Sequence, residues 1–270
     1  MKVLLPLVGA LAVLIAAACM GGIFFNAYGR EAGVYAAQGV GQDIVDLFIL
    51  VPVLLGSLFL MKAGVGAAFY VLAGSLLYTV YSYVIYCFGL HFNRLFLVYC
   101  AILGIALYTL IYVLVSMSPE DLSRKFDPGK AVWKIRLVSA LLFVTAAVFC
   151  LVWLKEEIPA LISGTAPLSV SGIGLPTNPV HVLDLAVFLP GMVISGVLLL
   201  RKHPLGFVFA PSLLVFGMLM TLAVAGMAAS MSGRGYAADA GLMAVFFVFS
   251  LLSLAVFWIF TGPARKDPAR

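Results

Sequence analysis

The chain has 270 residues, of which 64% are hydrophobic and only 10% are charged, and its formal net charge is +5. Charged residues normally make up about a quarter of a soluble domain, so this composition excludes a soluble globular protein and indicates a chain surrounded mostly by lipid. The positive charge has to be located loop by loop before it can indicate a partner, and it does not predict nucleic-acid binding.

An all-α membrane fold follows from the apolar segments of the chain. A helix needs about 20 apolar residues to cross the hydrocarbon core. The sequence contains eight such segments, at residues 3–25, 44–61, 67–89, 95–116, 133–154, 181–200, 205–230 and 239–260. The first segment begins like a secretory signal, but its apolar run continues to Phe25, and we expect it to be retained as a helix.

The lysines and arginines predict the orientation of these spans. Twelve of the 16 would lie on one side of the membrane, and the other side would carry Arg30, Arg94, Lys155 and Arg234. The positive-inside rule therefore predicts that both termini are cytoplasmic. In this pattern the chain resembles multi-pass proteins of bacterial inner membranes in general, and we expect that location. The resemblance implies no activity, and no functional residue is carried over from it.

The second and sixth predicted spans resemble one another at a constant offset of 138 residues. Asp46 aligns with Asp184, and Pro52 aligns with Pro190. Either proline would remove a helical hydrogen bond and could kink its helix. We expect a first four-helix repeat at 1–117, a cytoplasmic linker at 118–132, and a second repeat at 133–270 with a longer outer loop at 155–179. Because four is an even number, the two repeats would have the same orientation, as in some transporter folds.

The aligned aspartates differ in how easily capping explains them. Asp43 could cap the second predicted helix, and Asp46 would then lie in its first turn, so capping alone would explain both. Asp184 would lie about a turn and a half inside the sixth helix, since Asn178 can cap it and Pro179 fits its first position. A carboxylate at that depth needs a partner, and the candidates are His181, Arg94, Lys155 and Arg234.

The third predicted span carries a stripe of hydroxyl groups at helical spacing, formed by Ser75, Tyr78, Thr79, Ser82 and Tyr86. Such a stripe should face other helices rather than lipid. It could serve only interhelical hydrogen bonding. Alternatively, it could form the wall of a ligand pocket with His91, Asn93 and Arg94 at the rim.

The function that we favour from the sequence is non-enzymatic binding, with transport as an extension, of a small or lipid-like ligand. The ligand would occupy an outward-facing cavity between the two halves, where Asp46 and Asp184 hold a polar or cationic end. The predicted ligand-binding residues are Asp46, Asp184, His181, Tyr78, Ser82, Tyr86 and Arg94. We predict no catalytic residue, cofactor or metal, and expect membrane lipids as partners beside this ligand.

Two alternatives from other functional classes remain open. One is a membrane-embedded enzyme that acts on a lipid or isoprenoid head group, with Asp46, His181 and Asp184 as acid, base or metal ligands. The other is a structural or assembly subunit of a membrane complex, whose polar stripes serve only packing.

Overall fold

The computed structural model describes residues 2–120, 132–237 and 240–262, and the regular structure within these ranges is helical. Eight of the described helices are long and apolar enough to cross a membrane. They are α1 (Leu4–Phe24), α2 (Gly33–Lys62), α3 (Ala68–Phe88), α4 (Phe96–Val115), α5 (Val132–Ser163), α6 (Pro179–Leu200), α7 (Pro204–Gly233) and α8 (Ala240–Thr261). The predicted all-α, eight-span architecture is confirmed.

Large apolar side chains cover the outside of the bundle. Phe59, Leu97, Leu151 and Trp258 are each more than two thirds exposed, on four different helices. Apolar surface of this extent is unfavourable in water and marks contact with another apolar phase. A multi-pass membrane protein is the class of molecule that fits this surface.

Helix α2 begins at Gly33, well before the predicted start at residue 44. The sequence pattern missed this first part because GVYAAQGVGQD is too polar to register as a span. Asp43 and Asp46 therefore lie ten and thirteen residues inside a continuous helix of 30 residues. The capping interpretation of these two acids is wrong, because their helix has its first turn elsewhere.

Helix α5 is also longer than the predicted span, which ended at residue 154, because the helix continues through Lys155 and Pro159 to Ser163. The first part of the predicted outer loop 155–179 is thus helical, and a short helix, Leu168–Ser171, follows. The start of α6 is as expected: the side chain of Asn178 accepts a hydrogen bond of 2.9 Å from the backbone N–H of Val180. Most of the predicted linker 118–132 lies outside the described residues.

The helices of the first half of the chain, α1 to α4, and those of the second half, α5 to α8, make matching contacts. In the first half, α1 and α3 each contact both α2 and α4. In the second half, α5 and α7 each contact both α6 and α8. The two halves pack against each other chiefly through α7, which contacts α2 and α3, and α3 also contacts α6. Small residues allow the approach: a Cβ added to Gly74 would collide with the carbonyl oxygen of Ser212, and one added to Gly41 with that of Gly226.

Asp184 lies near the end of the bundle at which α6 begins, whereas Asp46 lies near the middle of α2 and accepts a hydrogen bond from Tyr78 at the middle of α3. The end at which α6 begins carries the connections from α1 to α2, α3 to α4, α5 to α6 and α7 to α8. The positive-inside rule assigns it to the outer face of the membrane. We call it the predicted outer end.

Candidate functional site

Helices α2 and α6 each contain one π-helical turn, and each turn starts at one of the aligned aspartates. The turns are Asp46–Leu50 and Asp184–Phe188. A proline follows two residues after each turn, at Pro52 and Pro190. Single π-helical turns within α-helices are rare and frequently occur at functional sites. The two aspartates are therefore marked by backbone geometry as well as by sequence.

The first of the two sites is a cluster of acidic, phenolic and thiol side chains from α1, α2, α3, α4 and the α1–α2 connection. Its carboxylates, Asp43 and Asp46, are one turn apart on α2. The first acid cluster, as we name it, consists of Cys19, Tyr28, Asp43, Asp46, Tyr78, Tyr83, Tyr86 and Tyr99, and all eight side chains are buried.

Asp43 accepts hydrogen bonds from three neutral groups. The Tyr28 hydroxyl donates to Oδ2 over 2.7 Å, and the Tyr86 hydroxyl donates to Oδ1 over 3.1 Å. The Cys19 thiol also hydrogen-bonds this carboxylate. Both carboxylate oxygens are thus satisfied without a cationic partner.

Asp46 is less completely satisfied than Asp43. The Tyr78 hydroxyl donates to its Oδ1 over 2.6 Å. Its Oδ2 has no hydrogen-bond partner among the described residues, although the side chain is 0% exposed. The hydroxyl of Tyr83 is equally buried and also lacks a partner within the same ranges. Buried polar atoms without a partner are uncommon and mark strain, function or a bound species.

Tyr28 lies in the α1–α2 connection, and two glycines make room for it. A Cβ added to Gly22 would collide with Oδ2 of Asp43 and would lie 2.6 Å from Cε2 of Tyr28. A Cβ added to Gly39 would lie 2.9 Å from the same ring atom. Burial raises the pKa of the Tyr28 phenol well above its usual range, and the negative charge of Asp43 raises this pKa further. Tyr28 therefore stays neutral and acts as a hydrogen-bond donor.

The tyrosine rings of the first acid cluster pack against one another. Tyr86 stacks on Tyr99 with ring centroids 5.2 Å apart and on Tyr28 with centroids 6.3 Å apart. Tyr83 meets Tyr86 edge to face at 5.1 Å. These contacts fix the orientation of the hydroxyl groups that face the carboxylates.

The second site surrounds Asp184. The indole N–H of Trp153 donates to Oδ2 of Asp184 over 2.8 Å, and the buried Tyr81 hydroxyl lies near this carboxylate without a hydrogen-bond partner among the described residues. The Trp153 ring lies over the His181 ring at 4.3 Å between centroids, and Nδ1 of His181 lies 2.6 Å from Oε1 of Glu157. We name these five residues the second acid cluster.

The structure divides the predicted ligand-binding residues into separate groups. Tyr78, with Ser82 beside it, and Tyr86 belong with the acids of α2, whereas His181 belongs with Asp184. His181 is paired with Glu157 within this cluster, and the hydrogen-bond donor to Asp184 is Trp153. Arg94 contacts neither acid and instead lines a groove at the predicted outer end.

Asp46 and Asp184 have different hydrogen-bond partners among the described residues: Tyr78 donates to Asp46, and Trp153 donates to Asp184. The alternative enzyme, with Asp46, His181 and Asp184 acting together, gains no support from this division. One cavity shared by both aspartates stays a prediction.

Sequence reasoning missed eight of the thirteen members of the two clusters: Cys19, Tyr28, Asp43, Tyr81, Tyr83, Tyr99, Trp153 and Glu157. For Asp43 the available signal was its position one turn before Asp46, which was interpreted as capping. Trp153 and Glu157 are spaced one turn apart, which places them on one face of α5. Cys19 and Tyr28 carried no signal, because only the packing of α1 against α2 and α4 brings them to the acids.

Comparisons with protein-family models, with curated proteins and with solved structures found no match. The functional proposal therefore depends on the geometry of the two acid clusters.

Proposed function

We propose that this membrane protein binds a small or lipid-like ligand through a cationic end, which is held by Asp46 together with Asp43. The observation that carries the proposal is the fully buried Oδ2 atom of Asp46, which has no partner among the described residues. An ionised carboxylate in an apolar interior needs a compensating positive charge. The three tyrosines and one cysteine that bond the two acids are neutral donors and do not supply it.

The spacing of the acids suits a single ammonium group. Side chains three residues apart on a helix have Cβ atoms about 5–6 Å from each other, so one cation can interact with both carboxylates. The surrounding tyrosines favour the same class of ligand, because aromatic rings attract ammonium groups through their faces. The second acid cluster would hold a polar end less strongly, since Asp184, unlike Asp46, has no buried carboxylate oxygen that lacks a partner among the described residues.

Transport is the second candidate function, and the paired π-helical turns favour it. Both carboxylates of the first acid cluster are buried, so a ligand can reach them only if the helices move. A π-helical turn lacks the regular hydrogen-bond pattern and is a suitable hinge. We place such a hinge in α2 and another in α6, at equivalent positions.

A parallel four-plus-four repeat would account for this equivalence. The matching helix contacts within the two halves of the chain support it, and parallel repeats are one of the ways in which transporters are built. We further place both termini in the cytoplasm of a bacterial cell, on the distribution of lysine and arginine, so that the end of the bundle nearest Asp184 faces the outside.

Calorimetric binding of two probe cations to the purified protein in lipid nanodiscs tests the proposal. The probes are tetramethylammonium and the lipid-like dodecyltrimethylammonium, with empty nanodiscs as the blank. Asp46→Asn should weaken binding of the cations by about tenfold or more, the loss that corresponds to one hydrogen-bonded charge pair. Glu120→Gln removes an exposed acid at the end of the bundle opposite the predicted outer end and should bind as the unaltered protein does.

Two outcomes would contradict the proposal. One is the absence of binding by either cation to the unaltered protein. The other is equal binding by Asp46→Asn, which would show that the cations bind elsewhere.

A further inference from the structure

A groove of about 870 Å³ lies at the predicted outer end, between the last turns of α1 and the beginning of α4. Its lining comes from α1, from the α1–α2 connection and from the segment that leads into α4. No member of the first acid cluster lines the groove: on α1 the lining residues are Ala17, Met20 and Gly21, whereas Gly22 packs against Asp43. The groove is therefore a site distinct from the first acid cluster.

The polar part of the groove is positively charged. Arg30 and Arg94 both line it, and both are exposed. Arg30 uses one nitrogen, Nη1, to donate to the carbonyl oxygen of Phe92 over 2.8 Å, which leaves the rest of its guanidinium group available. Arg94 forms no hydrogen bond or ion pair with the described residues. Two side-chain amides, those of Asn26 and Asn93, complete the polar lining.

The acid adjacent to Arg30 in the chain does not neutralise this charge. Glu31 instead accepts from the backbone N–H of His91 over 2.8 Å and lies 3.0 Å from Nδ1 of the same residue. Its side chain is only 2% exposed. The lining residues of the groove contain no aspartate or glutamate.

The rest of the groove is apolar and open to the surroundings of the helices. Phe25, Phe92 and Leu97 line it, and each is more than two thirds exposed. These residues lie where two membrane-spanning helices end, which is the depth of the lipid head groups. A charged recess with an apolar wall at this depth matches an amphiphile rather than a free anion.

We propose that the groove binds one anionic phospholipid, with its phosphate between Arg94 and Arg30 and an acyl chain along Phe25 and Leu97. Arginine suits the phosphate because its planar group donates two parallel hydrogen bonds to one anion. Electrostatic attraction to an anionic head group adds to this interaction at a membrane surface. The site is independent of the proposed cation site, which has the opposite charge.

Native mass spectrometry of the full chain in detergent tests this assignment. Phosphatidylglycerol and phosphatidylcholine with identical acyl chains are titrated, and bound copies are counted. The unaltered protein should bind one phosphatidylglycerol molecule more tightly than phosphatidylcholine. Arg94→Gln should weaken that binding about tenfold, as expected for a lost charge-assisted hydrogen bond. Arg234→Gln, which removes an exposed arginine from another connection at the same end, is the matched control and should change nothing.

A second variant tests the apolar part without altering charge. Ala17 is exposed on α1 within the groove, so Ala17→Trp should fill it and displace the lipid while the protein still folds. Inorganic phosphate at millimolar concentration should compete weakly, because it lacks the acyl chain. Unchanged lipid binding in both Arg94→Gln and Ala17→Trp would overturn the proposal, and so would phosphate that binds as tightly as the lipid.

Discussion

Substitution of Gly22 by alanine should damage the first acid cluster without changing any polar group. The added methyl group would occupy the position of Asp43 Oδ2 and press on the ring of Tyr28. Asp43 would have to rotate away from the Tyr28 hydroxyl, which now donates to it over 2.7 Å. The variant therefore probes whether the carboxylate, the tyrosine and α1 are packed as closely as the structure has them.

The expected size of the effect combines two losses and one gain. Overpacking of a well-packed interior costs about 1–3 kcal/mol, and loss of a hydrogen bond to a charged group costs about 1.5–3 kcal/mol. Replacing glycine by alanine within a helix stabilises the helix by about 0.5–1 kcal/mol. The free energy of unfolding should thus fall by about 2–5 kcal/mol.

Reversible unfolding in mixed micelles, with increasing denaturing detergent, measures this free energy. Gly9→Ala is the matched control, because Gly9 lies on the same helix and a Cβ added there meets nothing within 4 Å. That control should be as stable as the unaltered protein or slightly more stable. Equal stability of Gly22→Ala and Gly9→Ala would refute the packing of the cluster described above.

Three further substitutions test other contacts by the same unfolding measurement. Tyr78→Phe removes the hydroxyl that donates over 2.6 Å to Asp46 and should lower the free energy of unfolding by about 1.5–3 kcal/mol. Tyr108→Phe, at an exposed position, is the control and should lower it hardly at all. Trp153→Phe removes the indole donor of the second acid cluster and should cost a similar amount; an unaffected variant would argue against that hydrogen bond. Gly41→Ala should lower the free energy of unfolding by about 1–3 kcal/mol, because the added methyl group forces α2 and α7 apart. Gly56→Ala is the control, since there is open space around Gly56, and it should leave this free energy unchanged. Equal losses in the two variants would exclude a specific effect at the interface.

The sequence was sufficient to predict the number and type of the spans, because lipid imposes a simple apolar pattern on each of them. It also singled out Asp46 and Asp184, whose alignment is visible without a structure. The predicted start of α2 was wrong because Gln38 and Gln42 lower the apolar character of the first turns of this helix. Those turns do not need to be apolar, since neighbouring helices, rather than lipid, cover Gln42 and Asp43.

The composition of the first acid cluster could not be predicted from spacing along the chain. Its residues are joined by hydrogen bonds across 15 to 43 positions of sequence, so the partners depend on which helices are neighbours. Tyr86 was predicted to lie on a polar stripe, but its acceptor, Asp43, had been interpreted as a helix cap. Arg94 was grouped with the acids on charge alone, and the fold places it in the groove beside Arg30 instead.

Infrared difference spectroscopy of the carboxyl groups during cation binding tests the central claim most directly. Addition of tetramethylammonium to the protein in nanodiscs should change the carboxyl and carboxylate bands, because the cation would contact Asp46. Asp46→Asn should lack this spectral change, whereas Glu120→Gln should retain it. An identical change in Asp46→Asn, or none in the unaltered protein, would contradict the account.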